Sequence, residues 1–240
     1  MLKNILLDLD GTLVNTNNEI FDKAFFKCIG KKLYQDGYDG EKVAKAVLGG
    51  VQKMLLNDGS KSNEDVFWDF FEKTTNIKKN EIIETFDSFY DNNYDELRCY
   101  VMVEEVANDA VKILKSKGYN LVIATNPIFP IQAINKRATW GNIDLNDFSY
   151  VTAYDNSSYS KPNIGYYKEI LEKNNFKAEE TMMFGNDMVT DFVIEQIGVP
   201  CYIITDNLLN EEKIDECKQK GTYKEFLEFV KKLPDINKKI

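Results

Sequence analysis

The sequence predicts an α/β fold, a parallel sheet covered on both faces with an α-helical module inserted near its start. Three observations predict it. The chain opens on a short apolar run, residues 2–7, that ends abruptly in Asp8-Leu9-Asp10-Gly11-Thr12. From about Val101 onward, strand-like apolar runs alternate with helical periodicity, the pattern of parallel strands joined by helical crossovers. Between these two regions, residues 16–96 read as helix almost throughout.

Residues 2–7 form a buried strand that delivers acid to its end. Alternation along an extended backbone sends Asp8 and Asp10 the same way while Leu9 points into packing. Gly11 permits a turn with φ > 0 or a close ligand approach, and Thr12 offers a hydroxyl and an amide. Helical spacing follows at Phe21, Ala24, Phe25, Cys28 and Ile29, at Val43, Ala46, Val47, Val51 and Leu55, at Val66, Phe67, Phe70 and Phe71, and at Ile82, Ile83, Phe86, Phe89 and Tyr90. Turn residues near Asp36-Gly37, Asn57-Asp58-Gly59 and 76–80 separate these stretches. Four amphipathic helices therefore make a small bundle whose aromatic stripes are its core. Gly49-Gly50 interrupts the second helix at about 1 kcal/mol per glycine relative to alanine. It reads as a kink or loop carrying Gln52 and Lys53 into a crevice, or as a helix junction inside the bundle.

Next come a helix over 104–117 closed by Gly118 and a strand over 119–124 that ends in Thr125-Asn126-Pro127. A helix over 131–140 and a short strand over 150–153 follow. Ser160-Lys161-Pro162 opens a helix to about residue 172. The strand over 181–184 ends in Gly185-Asn186-Asp187, with Asp191 one turn into the next helix. Residues 199–204 make the last clear strand and 223–232 a terminal helix.

Composition narrows the function. The 240 residues carry 43% apolar and 29% charged side chains, as a soluble globular protein does. A formal charge of −9 and no basic stripe argue against nucleic acid. The lysine pairs at 31, 78, 231 and 238 are interleaved with acids and read as solvated faces. No apolar run approaches the roughly 20 residues that span a bilayer. Four cysteines without a CxxC pair, and a start on a strand rather than a signal peptide, predict reduced thiols in a cytoplasmic protein. There is no histidine, which removes imidazole acid–base chemistry and histidine metal ligands together. The chain is read as a monomer.

In open α/β sheets ligands bind beyond the carboxyl ends of the strands. Asp8, Asp10, Thr125, Asn126 and Asp187 sit at such ends, and Lys161 joins them in one crevice. Carboxylates about 4 Å apart repel by about 4 kcal/mol at an effective dielectric of 20, so a cation is needed. Oxygen ligands without histidine or thiolate favour Mg²⁺, completed by substrate phosphate. Lys161 can hold a phosphoryl oxygen. One carboxylate can attack phosphorus to give an aspartyl phosphate, and the second can protonate the leaving oxygen and then activate water. Thr125 and the amides of Leu9 or Asn126 can hold the transferring group. The residues therefore read as a Mg²⁺-dependent phosphoryl transferase.

Asp8-Leu9-Asp10-Gly11-Thr12, Thr125-Asn126, Lys161-Pro162 and Gly185-Asn186-Asp187 with Asp191 resemble, in order, the four motifs of the haloacid dehalogenase-like hydrolase superfamily. The resemblance implies a Rossmann-like core over 1–15 and 97–240 with a helical cap over 16–96 inserted after the first motif. It implies Asp8 as nucleophile, Asp10 as general acid/base, and Thr125 and Lys161 as phosphoryl clamps. Asp187 would ligate the metal with Asp8 and the backbone carbonyl of Asp10. Asn186 stands where many relatives carry an aspartate, so the metal ligand is open between Asp187 and the Asn186/Asp191 pair. An ionised ligand favours Asp187, leaving Asn186 and Asp191 to support it. Leu9, Gly11, Asn126 and Lys53 are the expected substrate contacts. The presence of Asp10 argues against the dehalogenase and phosphonatase branches. The expectation is a phosphatase acting on a small phosphorylated metabolite, with a sugar-phosphate transferase or mutase, or a non-catalytic phosphate- and metal-binding module, as alternatives.

Overall fold

The computed structural model describes residues 1–237; the Lys238-Lys239 pair lies outside the described residues. A six-stranded sheet is built in the order β5-β4-β1-β6-β7-β8. The strands are β1 (Asn4–Leu7), β4 (Asn120–Ile123), β5 (Tyr150–Val151), β6 (Thr181–Gly185), β7 (Cys201–Ile204) and β8 (Gln219–Gly221). All five pairings are parallel. Leu7 lies opposite Ile123 on one side and Phe184 on the other, so β1 is central and its polar end is flanked by those of β4 and β6.

Strict alternation divides the core. Ile5 and Leu7 pack into one apolar cluster with Leu114 of α5 (Glu105–Ser116) and Phe226 of α8 (Tyr223–Lys232). Leu6, Val122 and Met183 face the other way, against Tyr166, Tyr167 and Ile170 of α7 (Ile164–Lys173). Both faces are covered, which is why the central strands carry apolar residues without a polar break. This is the parallel α/β sheet that the alternation of elements predicts, and the Rossmann-like core that the resemblance implies.

The chain leaves the sheet through β2 (Val14–Thr16) and returns through β3 (Val101–Val103), which pair antiparallel with Val14 opposite Val103. Between them lie α1 (Asn18–Gln35), α2 (Gly40–Leu55), α3 (Asn63–Thr75) and α4 (Lys79–Ser88), followed by irregular helical turns to Tyr100. The first three starts are set by side chains that accept an otherwise orphaned amide: Asn17 from Ile20, Asp39 from Lys42 and Ser62 from Asp65. The aromatic stripes pack as expected, Trp68 against Phe71 and Phe86, and Phe25 against Phe89.

The interruption expected at Gly49-Gly50 is absent, for α2 runs unbroken through both. A Cβ at Gly49 would lie 2.5 Å from the Phe70 ring, and one at Gly50 2.5 Å from the Phe67 ring. The glycines let α2 and α3 approach closely, and that packing outweighs their helix penalty. Three strands escape the sequence reading. β8 is short and polar and exists through its pairing with β7, and the β2–β3 pair is too brief to show periodicity. α7 begins at Ile164 rather than at Lys161, with Asn163 accepting the Gly165 amide at 2.9 Å. Among the described residues no helix is long and apolar enough to cross a membrane, and no cysteines are paired.

Candidate active site

Beyond β1 the chain turns at once. Gly11 takes φ +83°, and a Cβ there would meet Asn186 Nδ2 at 2.3 Å, so both the turn and the close approach demand glycine. Thr12 Oγ1 donates to Asn186 Oδ1 at 3.2 Å, and the Asn186 amide donates to the Asn207 carbonyl at 2.7 Å. Asn186 thus ties the first turn to the loop after β7. Tyr223 closes the same turn from below, donating to the carbonyls of Gly11 and Thr12 at 3.0 and 3.1 Å.

Lys161 sits at the centre. Its side chain is 3% exposed, and its ammonium donates to Asp8 Oδ1 at 2.8 Å and to Asp191 Oδ1 at 2.6 Å. Burial pushes this ammonium down, but Asp191 and Asp8 outweigh burial and hold it well above the usual lysine range. Asp8 is pushed up to about 7, chiefly by burial; Lys161 opposes that shift and Asp191 adds to it. Asp191 Oδ2 accepts the amides of Asn186 and Asp187 at 3.0 and 3.1 Å, so one carboxylate braces both Lys161 and the turn after β6. Asp187 Oδ1 accepts from the Val189 and Thr190 amides and from Asn210 Nδ2 at 2.6 Å.

Thr125 is buried, and its carbonyl accepts from Thr152 and Tyr166, both at 2.7 Å. These two bonds fix the end of β4. Asn126 Oδ1 accepts the Lys161 amide at 3.2 Å. Leu9 is fully buried, with its side chain in the main apolar cluster. Asp8, Thr125, Asn126, Lys161, Asp187 and Asp191 therefore meet at the ends of β1, β4 and β6 although they are scattered through 184 positions of sequence. Lys53 does not join them. It lies on the exposed outer side of α2 with its ammonium 5.9 Å from the Phe70 ring. Two residues beyond Val51, it is turned about 200° around the helix from it.

Asp10 lies close enough for its charge to bear on Asp8, and it has a partner that alternation does not reveal. The strand ends at Leu7, and the Asp10 carboxylate pairs with Arg137 of α6 (Ile131–Trp140), Oδ2 to Nη1 at 2.6 Å. The guanidinium is buried between the rings of Phe129, 4.8 Å away, and Phe21, 5.6 Å away. Asp10 Oδ1, Arg137 Nε and the Tyr94 hydroxyl are buried beside it without partners among the described residues. Sequence reasoning misses Arg137. Its signal is there, since it occupies the same helical stripe as Ala133, Ile134 and Ala138, where a charge has no place unless paired.

The donors fit a hard divalent cation. Among the described residues no group of three or more His, Cys, Asp or Glu side chains converges as a metal site. Two carboxylates are offered instead, Asp8 and Asp187, each with one oxygen held from within. Such a sparse, all-oxygen set suits Mg²⁺, which keeps several waters and completes its shell with phosphate.

Residues 2–192 match the family model described as haloacid dehalogenase-like hydrolase. The chain is 29% identical over 186 residues to pyrophosphatase PpaX of Anoxybacillus flavithermus and 26% identical to that of Bacillus cereus, covering 78% of this chain and 75% of each relative. Among solved structures it is similar to a haloacid dehalogenase-like phosphatase from Thermococcus onnurineus, with TM-score 0.58, 18% identity and coverage of 95% and 98%. It is also similar to YfnB from Bacillus subtilis, solved bound to magnesium, with TM-score 0.55, 15% identity and the same coverage. The matched span holds every residue of the Lys161 cluster, and the chain belongs to the haloacid dehalogenase-like hydrolase family as a hydrolase of the phosphatase type.

Proposed function

We propose that this protein is a Mg²⁺-dependent phosphatase that hydrolyses a small phosphate monoester through a phosphoryl group carried on Asp8. The observation that supports it most is the buried Lys161 ammonium shared between Asp8 and Asp191. A buried cation on a carboxylate with one oxygen still open is the arrangement that in-line attack on a phosphoryl group needs. Mg²⁺, held by Asp8, Asp187 and the Asp10 carbonyl, would neutralise charge on the transferring group. Lys161 and Thr125 hold the phosphoryl oxygens, with the amides of Leu9 and Asn126 beside them. Asp10 protonates the leaving oxygen and then takes a proton from the attacking water. Residues 16–96 act as the cap that excludes water from this chemistry. Fixed positions are already provided by Asn63, whose buried amide donates to the carbonyls of Pro127 and Tyr159 at 3.1 and 3.2 Å.

The test is a rapid acid quench during turnover of an aryl phosphate. The peptide containing Asp8 should carry a hydroxylamine-sensitive phosphoryl group, formed only with Mg²⁺. A phosphorylated peptide elsewhere, or turnover indifferent to Mg²⁺, would overturn the proposal.

A pH dependence follows from Asp8. Its carboxyl is raised to about 7 in the metal-free protein, so below that pH a proton competes with the cation. Mg²⁺ affinity should fall about tenfold per pH unit below 7 and level off above it, with close to one proton released per ion at pH 6. The sign for folding is the opposite. A raised carboxyl stabilises the fold at low pH, and metal-free protein should lose stability as pH rises towards 7. Calorimetric Mg²⁺ titrations in buffers of different ionisation enthalpy measure the first effect, and melting in a chelator measures the second.

A further inference from the structure

The helical segment and the stretches that follow β4 and β5 line a cavity of about 290 Å³ that contains none of the Lys161 cluster. Its wall is aromatic, with Phe67, Trp68, Phe86, Tyr90, Phe129 and Tyr154, and its remaining lining includes Val47, Val51, Ile83 and Ile128. The volume is about twice the roughly 150 Å³ that admits a benzene ring. It adjoins the phosphoryl cluster through the chain itself. Ile128 and Phe129 follow Asn126 after Pro127, and the Ile128 amide donates to the Asn126 carbonyl at 2.9 Å. At 3.8 Å per residue the wall begins no more than about 8 Å along the backbone from Asn126, the span of a single ring.

The charges around this cavity are the informative part. Glu64, Asp87 and Asp155 line it against a single cation, Lys79. Lys79 is already engaged, 2.7 Å from Glu64 and 5.5 Å from the Trp68 ring. Arg137 stands behind Phe129 and is held by Asp10. Lys53 lies on the outer face of α2. Among the described residues no uncommitted cation faces the cavity, so a second anionic group there would meet three carboxylates and no partner. A bulky apolar group would meet a complementary wall.

We infer that this cavity receives the leaving group of the substrate, and that the substrate is a phosphate monoester of a bulky apolar alcohol or phenol bearing no second anion. The inference rests on the phosphatase reading above and goes beyond it by naming the substrate class. It sets this chain apart from its pyrophosphatase relatives, because the leaving group of pyrophosphate is itself a phosphate with no apolar surface.

The test compares kcat/KM for 1-naphthyl phosphate, methyl phosphate, glucose 6-phosphate and pyrophosphate with Mg²⁺, in the intact protein and in Asp8→Asn. The naphthyl ester should exceed each of the others at least tenfold. Val51→Phe on α2 and Ile83→Phe on α4 fill the cavity from two sides, so the two variants check each other's folding. Each should reduce the ratio of naphthyl to methyl phosphate turnover at least tenfold, chiefly through a higher KM for the naphthyl ester. Asp8-dependent turnover that favours glucose 6-phosphate, or an unchanged ratio in both folded variants, would overturn the inference and leave the phosphatase reading standing; Asp8-dependent turnover that favours pyrophosphate would overturn the inference together with the monoester part of that reading. No Asp8-dependent turnover of any ester would overturn the phosphatase reading and this inference with it.

Discussion

Asp8→Asn is expected to lower Mg²⁺-dependent phosphate release at least a thousandfold, a loss of about 4 kcal/mol of transition-state stabilisation, while the protein stays folded. The substitution keeps the shape of the side chain and an oxygen able to accept from Lys161. It removes the electron pair that would attack phosphorus, because a neutral amide is a poor nucleophile. Stability should move the other way. Asp8 is buried, and desolvation is the largest influence on its carboxyl; once that carboxylate is replaced by an amide, the cluster no longer confines a second negative charge beside Asp191. Lys161 keeps its 2.6 Å partner in Asp191. In a chelator the melting temperature of Asp8→Asn should therefore equal or exceed that of the unsubstituted protein, and the stabilisation by Mg²⁺ should shrink. Phosphate release and thermal melting on the same preparations measure both. Loss of activity together with loss of the fold would show that Asp8 is needed for structure, and undiminished turnover would remove it as the nucleophile.

What can be read from the sequence follows from which forces act locally. β1, β4 and β6 are legible because each is an apolar run broken suddenly by polar residues, and the residues at those breaks are the ones that meet. Lys161 can be placed by its order along the chain, yet nothing local shows that one ammonium serves both Asp8 and Asp191. Gly49-Gly50 misleads because helix propensity is a weak force beside the fit of two helices, and the Phe67 and Phe70 rings that require those glycines are distant in sequence. Lys53 is misplaced with them. For Asp10, strand alternation ends at Leu7 and shows no partner. Its partner, 127 positions away, is an arginine on an apolar stripe that periodicity alone reads as an error in the pattern.

That arginine is where the second large effect is expected. Arg137→Met should destabilise the protein by about 3–5 kcal/mol, the usual cost of leaving one member of a buried ion pair without its partner. The Arg137 side chain is 5% exposed and that of Asp10 12%, so water screens what remains only weakly. Asp10 Oδ1 already lacks a partner among the described residues, and without the guanidinium Oδ2 loses its own. Adding Asp10→Asn to Arg137→Met removes the stranded charge, and the double variant should recover at least half of the loss. Denaturant unfolding of the four proteins in the cycle gives the coupling directly. A cost below about 1 kcal/mol for Arg137→Met would mean that the pair breaks even against its own desolvation and does not secure this region. The position gives the pair its meaning. Asp10 opens the turn that leads into β2, and α6 packs against β3, so the bond joins the first turn of the site to the place where the helical segment returns. A pair so placed fixes the Asp10 carboxylate, whose charge also bears on Asp8, and the general acid proposed for this site is thereby held by the same element that packs against β3.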